Sequence, residues 1–240
     1  MPAISLEDAN KVGLMDRVDT KFYFHERFLP NVLMPIIQYY AVLEIKGERL
    51  MPYESAYYDT SSFQMLRWHQ NGKLNRYKIR KRRYVLTDET FLEIKFKSNK
   101  SKTEKYRRLN GIDYEEDQRF ISQRTPFHWL DLHHILNNKF DRMMLINKNM
   151  RERVSIDLNV GFSNGDDNYR YLDKLVVLEI KSQRHLGTTE LQRSLKNLHI
   201  LPNSFSKFVT GMYLHYKEQK YNNFKRRFLH LNKTMEKNIV

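Results

Sequence analysis

The chain has 240 residues, and its 42 Lys and Arg against 28 Asp and Glu give a formal net charge of +14. Such an excess predicts a polyanionic partner, whether nucleic acid, an anionic membrane surface or a phosphate chain. The absence of cysteine excludes disulfides and thiolate metal sites and suits a reducing cytoplasm, and no run reaches the ~18 consecutive apolar residues of a membrane span.

In chain order, the first residues show no signal peptide. Residues 6–16 read as a short helix. Arg17 to Phe24 alternates Arg17, Asp19, Lys21 and Tyr23 against Val18, Thr20, Phe22 and Phe24, as a strand does. Pro30 to Tyr40 has helical spacing, Tyr53 to Asp59 reads as β, and Ser61 to Gln70 as a short helix closed by the Asn71-Gly72 turn. Two strands follow, joined by Thr87-Asp88-Glu89. In Arg76 to Tyr84, the cations Arg76, Lys78, Arg80 and Arg82 share one side. In Phe91 to Lys97, Glu93, Lys95 and Lys97 share a side opposite Leu92, Ile94 and Phe96.

Lys97 to Arg108 continues basic. Residues 115–138 read as helical, interrupted near Pro126; they carry His128, His133 and His134 without a carboxylate at ligand spacing, which disfavours zinc. Arg142 to Asn147 reads as β, Arg151 to Val160 alternates again, and 163–168 is a polar turn. Leu175 to Lys181 sets Val177, Glu179 and Lys181 against Val176, Leu178 and Ile180. Helices are expected over 187–198 and 206–217. With no internal repeat or linker, residues 1–220 are expected to form a single domain. Residues 221–240, with Lys225-Arg226-Arg227, form a basic tail, helical or frayed.

Five strands thus repeat one pattern, cations with a carboxylate or two on one face and Val, Ile, Leu or Phe on the other. Either an open sheet with a solvated face or a charge-lined barrel satisfies it; helices available between the strands favour an α+β fold built on an antiparallel β-barrel. Cations packed that closely repel unless an anion lies among them, and polyphosphate is the natural choice. Nucleic acid is disfavoured, because the strand aromatics Tyr77, Phe91 and Phe96 mostly fall opposite the cations instead of beside them. Glu93 reads as an internal ion-pair partner, and Asp157 as a partner of Arg153 on one strand face.

The motifs Arg17-Val18-Asp19-Thr20-Lys21-Phe22, Tyr58-Asp59-Thr60, Lys78-Ile79-Arg80-Lys81-Arg82, Leu92-Glu93-Ile94-Lys95, Lys105-Tyr106-Arg107, Arg153-Val154-Ser155-Ile156-Asp157, Leu178-Glu179-Ile180-Lys181 and Ser206-Lys207-Phe208 stand in the order found in VTC domains. The chain resembles these domains from about Arg17 to Tyr213. They are the catalytic domains of vacuolar transporter chaperone-type polyphosphate polymerases and their bacterial relatives, within the triphosphate tunnel metalloenzymes. The resemblance implies a β-barrel tunnel that moves the γ-phosphate of ATP onto a growing polyphosphate chain. It implies Arg80, Arg82, Lys95 and Arg153 as catalytic cations, and Lys21, Lys105 and Lys207 as further phosphate ligands. Ser206 would donate to phosphate, and Lys78 and Lys181 lie on the same faces. Glu179 would hold Mn²⁺ or Mg²⁺.

Three features depart from the family pattern, one of them Ser204 where yeast-like members have a lysine. The Glu-x-Glu-x-Lys of hydrolytic members is replaced by Arg17-x-Asp19-x-Lys21, which fits the polymerase branch. The Tyr-x-Arg element expected before Arg153 is absent from Leu145-Ile146-Asn147-Lys148-Asn149, leaving Lys148 as the substitute. The partners implied are ATP and inorganic polyphosphate, in the cytoplasm or at a membrane face, with a membrane protein left open as the acceptor of the product. A tunnel triphosphatase and a non-catalytic polyphosphate-binding module are the competing functions.

Overall fold

The computed structural model describes residues 1–12, 17–100, 103–109, 114–165, 168–219 and 221–236. Its strands are β1 (Ala3–Ile4), β2 (Arg17–His25), β3 (Tyr40–Leu43), β4 (Met51–Thr60), β5 (Arg76–Tyr84), β6 (Glu89–Lys97), β7 (Thr103–Leu109), β8 (Leu132–Asn147), β9 (Glu152–Ser163), β10 (Arg170–Tyr171) and β11 (Leu175–Gln183). Its α-helices are α1 (Leu6–Asn10), α2 (Leu29–Leu33), α3 (Gln64–Gln70), α4 (Tyr114–Ser122), α5 (Glu190–Asn197), α6 (Lys207–His215) and α7 (Lys225–Glu236).

The main sheet runs β2-β11-β9-β8-β4-β5-β6-β7, with every pairing along it antiparallel. It curls into a half-barrel with α2, α3, α4 and α5 packed outside, an α+β fold. The strand alternation decides which side faces in. On the outer side, Phe22, Val154, Ile156, Val176, Leu178 and Ile180 pack with Val32 of α2 and Leu191 and Leu195 of α5. Farther round, Ile79, Leu92 and Ile94 pack with Met65 of α3 and Phe120 and Ile121 of α4. Burying a side chain of this size stabilises by ~1.5–3 kcal/mol, so a one-residue slip in any strand would send its apolar row to the wrong face. That penalty holds the cations on the concave side.

α6 packs inside the concavity. Gly211 lies so close to the sheet that a Cβ there would meet Leu136 Cδ2 at 2.5 Å and Phe162 Cδ1 at 2.5 Å. Phe208 of the same helix packs against Tyr57 of β4 at 5.4 Å between ring centroids.

Three expectations change, and of the two alternatives for the tail the helix is the one found. The helix expected over 115–138 ends at Ser122, and β8 begins at Leu132, so His133 and His134 lie on a strand. β8 is 16 residues long, and residues 132–141 escaped the alternation test because His133-His134 and Asn137-Asn138 interrupt it. The first helix covers Leu6–Asn10, with 13–16 outside the described residues, as are 166 and 167 of the polar turn. The basic tail forms α7, whose Phe228 and Leu231 are buried in the same core as α6, while 237–240 lie outside the described residues. Among the described residues, no helix is long and apolar enough to cross a membrane.

Candidate functional site: a cation-lined channel

A cavity of about 650 Å³ occupies the concave side. Arg80, Arg82, Lys95, Arg153, Lys21, Lys78, Lys105, Lys181, Ser206, Lys207 and Glu179, the eleven residues singled out from the sequence, all line it. The register brings them together in rows. Lys78, Lys95 and Lys105 stand directly opposite one another on β5, β6 and β7. In the next row Glu93 lies between Arg80 and Arg107. Across the channel Glu179 of β11 lies between Lys21 and Ser155, and Lys181 between Asp19 and Arg153.

Three carboxylates hold this cluster. Glu93, only 2% exposed, takes Arg80 Nη2 at 2.6 Å on Oε2 and Lys105 Nζ at 2.5 Å on Oε1. Burial alone would raise its pKa, but Arg80, Arg82 and Lys105 overcome that and bring it down to about 2. Glu179 accepts from Lys21 at 2.5 Å and faces Lys181 at 3.6 Å, and these cations likewise outweigh burial and hold it at about 2. Asp157 accepts two parallel bonds from Arg142, at 2.6 and 2.9 Å, and another from Lys207. Burial opposes ionisation there too, and Arg142 and Lys207 keep its pKa well below the carboxylate range.

The lysine row is held less completely. Lys78 Nζ donates to Ser206 Oγ at 2.9 Å, and Lys95 has no hydrogen bond or ion pair among the described residues. Burial and the charge of Lys21 bring Lys95 down to about 8, and burial brings Lys207 to about 8 even beside Asp157. Burial, with Lys95 and Arg76 nearby, lowers Lys78 well below an ordinary lysine. Like charges directly opposite on neighbouring strands destabilise a sheet, so this row costs stability until an anion fills it. Ser206 also caps α6, accepting from Val209 N, so the positive end of that helix faces the channel.

Two expectations are corrected here. Arg153 does not pair with Asp157; its Nη2 donates to Ala9 O of α1. Lys148 is exposed beyond the end of β8 and does not line the cavity, whereas Arg142 does. Arg142 stands in Phe140-Asp141-Arg142, an aromatic-x-Arg with Phe in place of Tyr, just beyond the helix expected over 115–138. Tyr57, whose OH accepts from Arg80 at 3.2 Å, and Arg107 are further lining residues missed from sequence.

The sequence matches the VTC domain family over residues 16–216. The chain belongs to that family. Its fold is similar to that of an adenylyl cyclase candidate from Hippeastrum described as having a dominant triphosphatase activity, with TM-score 0.52 and 11% identity over 82% of this chain and 95% of that one. An adenylate cyclase candidate from Vibrio parahaemolyticus is similar with TM-score 0.45 and 11% identity, over 85% and 98% of the two chains. A protein from Pyrococcus horikoshii OT3 gives TM-score 0.47 and 12% identity over 84% and 99%. No curated protein matches the sequence. Family and channel together make this a tunnel-type triphosphate-binding protein.

Among the described residues, no group of three or more His, Cys, Asp and Glu side chains could hold a metal by itself. A magnesium-like ion needs fewer: one or two carboxylates suffice when phosphate oxygens and water fill the remaining positions. Glu179, fully ionised and lining the cavity, fits that donor set.

Proposed function

We propose that this VTC domain is an ATP:polyphosphate phosphotransferase, which lengthens a polyphosphate chain with the γ-phosphate of ATP. The observation that carries this reading is the row Arg76, Lys78, Arg80 and Arg82 along one face of β5. At ~3.3 Å per residue, six steps extend it over about 20 Å, longer than a triphosphate. It passes from the first cavity into a second of about 620 Å³, and the two share Asp19, Lys21, Lys78, Lys95, Thr103, Phe205 and Ser206 as lining. A channel longer than its triphosphate suits a polymeric acceptor.

Phosphoryl transfer depends on position and charge neutralisation more than on covalent help. Arg80 and Arg82 present planar forks to phosphate oxygens, and Lys21, Lys78, Lys95, Lys105, Lys181 and Lys207 act as point charges. Together they let two polyanions meet end to end. The nucleophile is a terminal phosphate oxygen, already anionic near neutral pH, so no general base is required. Glu93 and Asp157 are each engaged by two cations, which counts against either of them activating water for hydrolysis. Glu179 is the residue proposed to hold Mn²⁺ or Mg²⁺, which would supply further charge neutralisation to the phosphates. Arg153 joins the phosphate ligands by exchanging Ala9 O for a phosphate oxygen.

The test is to incubate the purified protein with ATP, Mn²⁺ or Mg²⁺ and a short polyphosphate primer, and to resolve the products on a polyphosphate-stained gel. A ladder of long chains with matching ADP is the expected result. Free phosphate without chains would replace this reading with a triphosphatase, and tight polyphosphate binding with neither product would leave a binding module.

A further inference from the structure

The second cavity has a wall that the family domain does not supply. Helix α7 starts nine residues beyond the end of the family match at residue 216, and Phe224, Arg227, Phe228 and Leu231 from this region line the cavity. The helix is anchored there, since Phe228 stacks on Tyr213 of α6 at 3.7 Å between centroids and His230 Nδ1 lies 2.7 Å from Tyr23 OH. Its sequence places Phe224, Phe228 and Leu231 at helical spacing toward the core, which turns Arg227 to the cavity.

The charge in this cavity is one-sided. Six cations line it, Lys21 (paired with Glu179), Arg76, Lys78, Lys95, Lys97 and Arg227, with Asp19 as the only lining carboxylate among the described residues. Asp19 is itself engaged by Arg17 at 3.0 Å. Among the described residues neither Lys97 nor Arg227 has an ion pair, and Arg76 donates only to the carbonyl of Lys73. Arg227 rests on the Phe224 ring at 5.2 Å. His69 stacks on the same ring, at 5.6 Å and nearly parallel, and its Nδ1 has no hydrogen-bond partner among the described residues. Burial and the surrounding Lys78, Arg76 and Arg227 hold His69 neutral, so it adds no charge to the repulsion. The first cavity is cationic too, but there Glu93, Asp157 and Glu179 pair directly with Arg80, Lys105, Arg142, Lys207 and Lys21. An unbalanced cationic wall around an open space is an anion site whose counter-charge comes from outside.

We propose that α7 closes the second cavity into a distal polyanion subsite, in which Arg227 acts with Arg76 and Lys97 to hold a phosphate chain beyond the point of transfer. This rests on the polymerase reading for the identity of the chain, while the binding itself does not require turnover. The subsite makes affinity depend on chain length: tripolyphosphate fills the first cavity alone, and a chain of tens of phosphates reaches both. In synthesis, the held chain stays on the enzyme between transfers, so losing the subsite shortens the products.

The experiment is calorimetric titration of the protein with inorganic tripolyphosphate and with long-chain polyphosphate, repeated for Arg227→Glu and for Arg226→Ala; both arginines are exposed, and Arg227 lines the cavity while Arg226 does not. The parent protein should bind the long chain more tightly. Arg227→Glu should weaken long-chain binding about threefold to tenfold and leave tripolyphosphate within about twofold, the scale of one partly solvated ion pair. Arg226→Ala should change neither. Equal losses for both ligands, or long-chain binding indifferent to Arg227→Glu, overturns the subsite even if the protein still makes polyphosphate. A parent protein that binds neither ligand removes the polymerase reading along with it.

Discussion

Glu93→Gln tests whether the carboxylates act as built-in substitutes for phosphate. Glu93 holds Arg80 and Lys105 inside the half-barrel, and its pKa is brought from 4.5 to about 2. That difference corresponds to ~3 kcal/mol of folding stability at neutral pH, in line with the ~3–5 kcal/mol typical for removing one partner of a buried pair. At ~2–4 °C per kcal/mol for a domain of this size, Tm should fall by about 6–12 °C in thermal denaturation. The sign with pH follows from the depressed pKa. The contribution is complete above the unfolded value of 4.5 and vanishes as pH falls through about 2, so the parent should lose more stability than the variant over that interval. Without Glu93, Arg80 and Lys105 lack their internal counter-charge, and an added anion can supply it. Tripolyphosphate should therefore raise Tm more in Glu93→Gln than in the parent at equal concentration. A variant as stable as the parent, or one stabilised less by tripolyphosphate, refutes this reasoning.

Three other expectations follow from the same cluster. Lys95→Met removes a cation that has no hydrogen bond or ion pair among the described residues and faces Lys78 and Lys105, so Tm should stay level or rise while phosphate affinity and chain synthesis fall at least tenfold, about 1.4 kcal/mol; a fall in Tm with full activity would contradict it. Lys95 and Lys207 both titrate at about 8, and phosphate favours their charged forms. Tripolyphosphate affinity should decline as pH rises through about 8, and calorimetry in buffers of different ionisation enthalpy should show proton uptake on binding at pH 8; proton release would be the wrong sign. Glu179→Gln should abolish metal-dependent chain synthesis while leaving metal-free tripolyphosphate binding intact or stronger, because Lys21 and Lys181 lose their internal partner; a fully active, metal-dependent variant rules Glu179 out as the key ligand.

The sequence by itself determined which side chains share a face. In β2, β5, β6, β9 and β11 a period-two alternation separates cations from Val, Ile, Leu and Phe, and backbone geometry turns that alternation into two faces without reference to the rest of the chain. Lys21, Lys78, Arg80, Arg82, Lys95 and Lys181 could be placed on the lining this way. Arg142 could not, because the Asn-rich start of β8 lacks alternation, and register shifts near Tyr57/Tyr58 and Lys139/Asp141 change which residues face inward along it. Partnership was also beyond reach. Asp157 and Arg153 share a face four residues apart, yet Asp157 is claimed by Arg142 of the adjacent strand and Lys207 of a helix 50 residues away, while Arg153 turns to α1. The same holds for the basic tail, whose composition reads as a solvated run but whose Phe224, Phe228 and Leu231 find an apolar surface on α6. Facing is decided within a strand, by local sterics. Pairing, channel closure and the counter-charge of each cation depend on long-range register, which only the folded sheet decides.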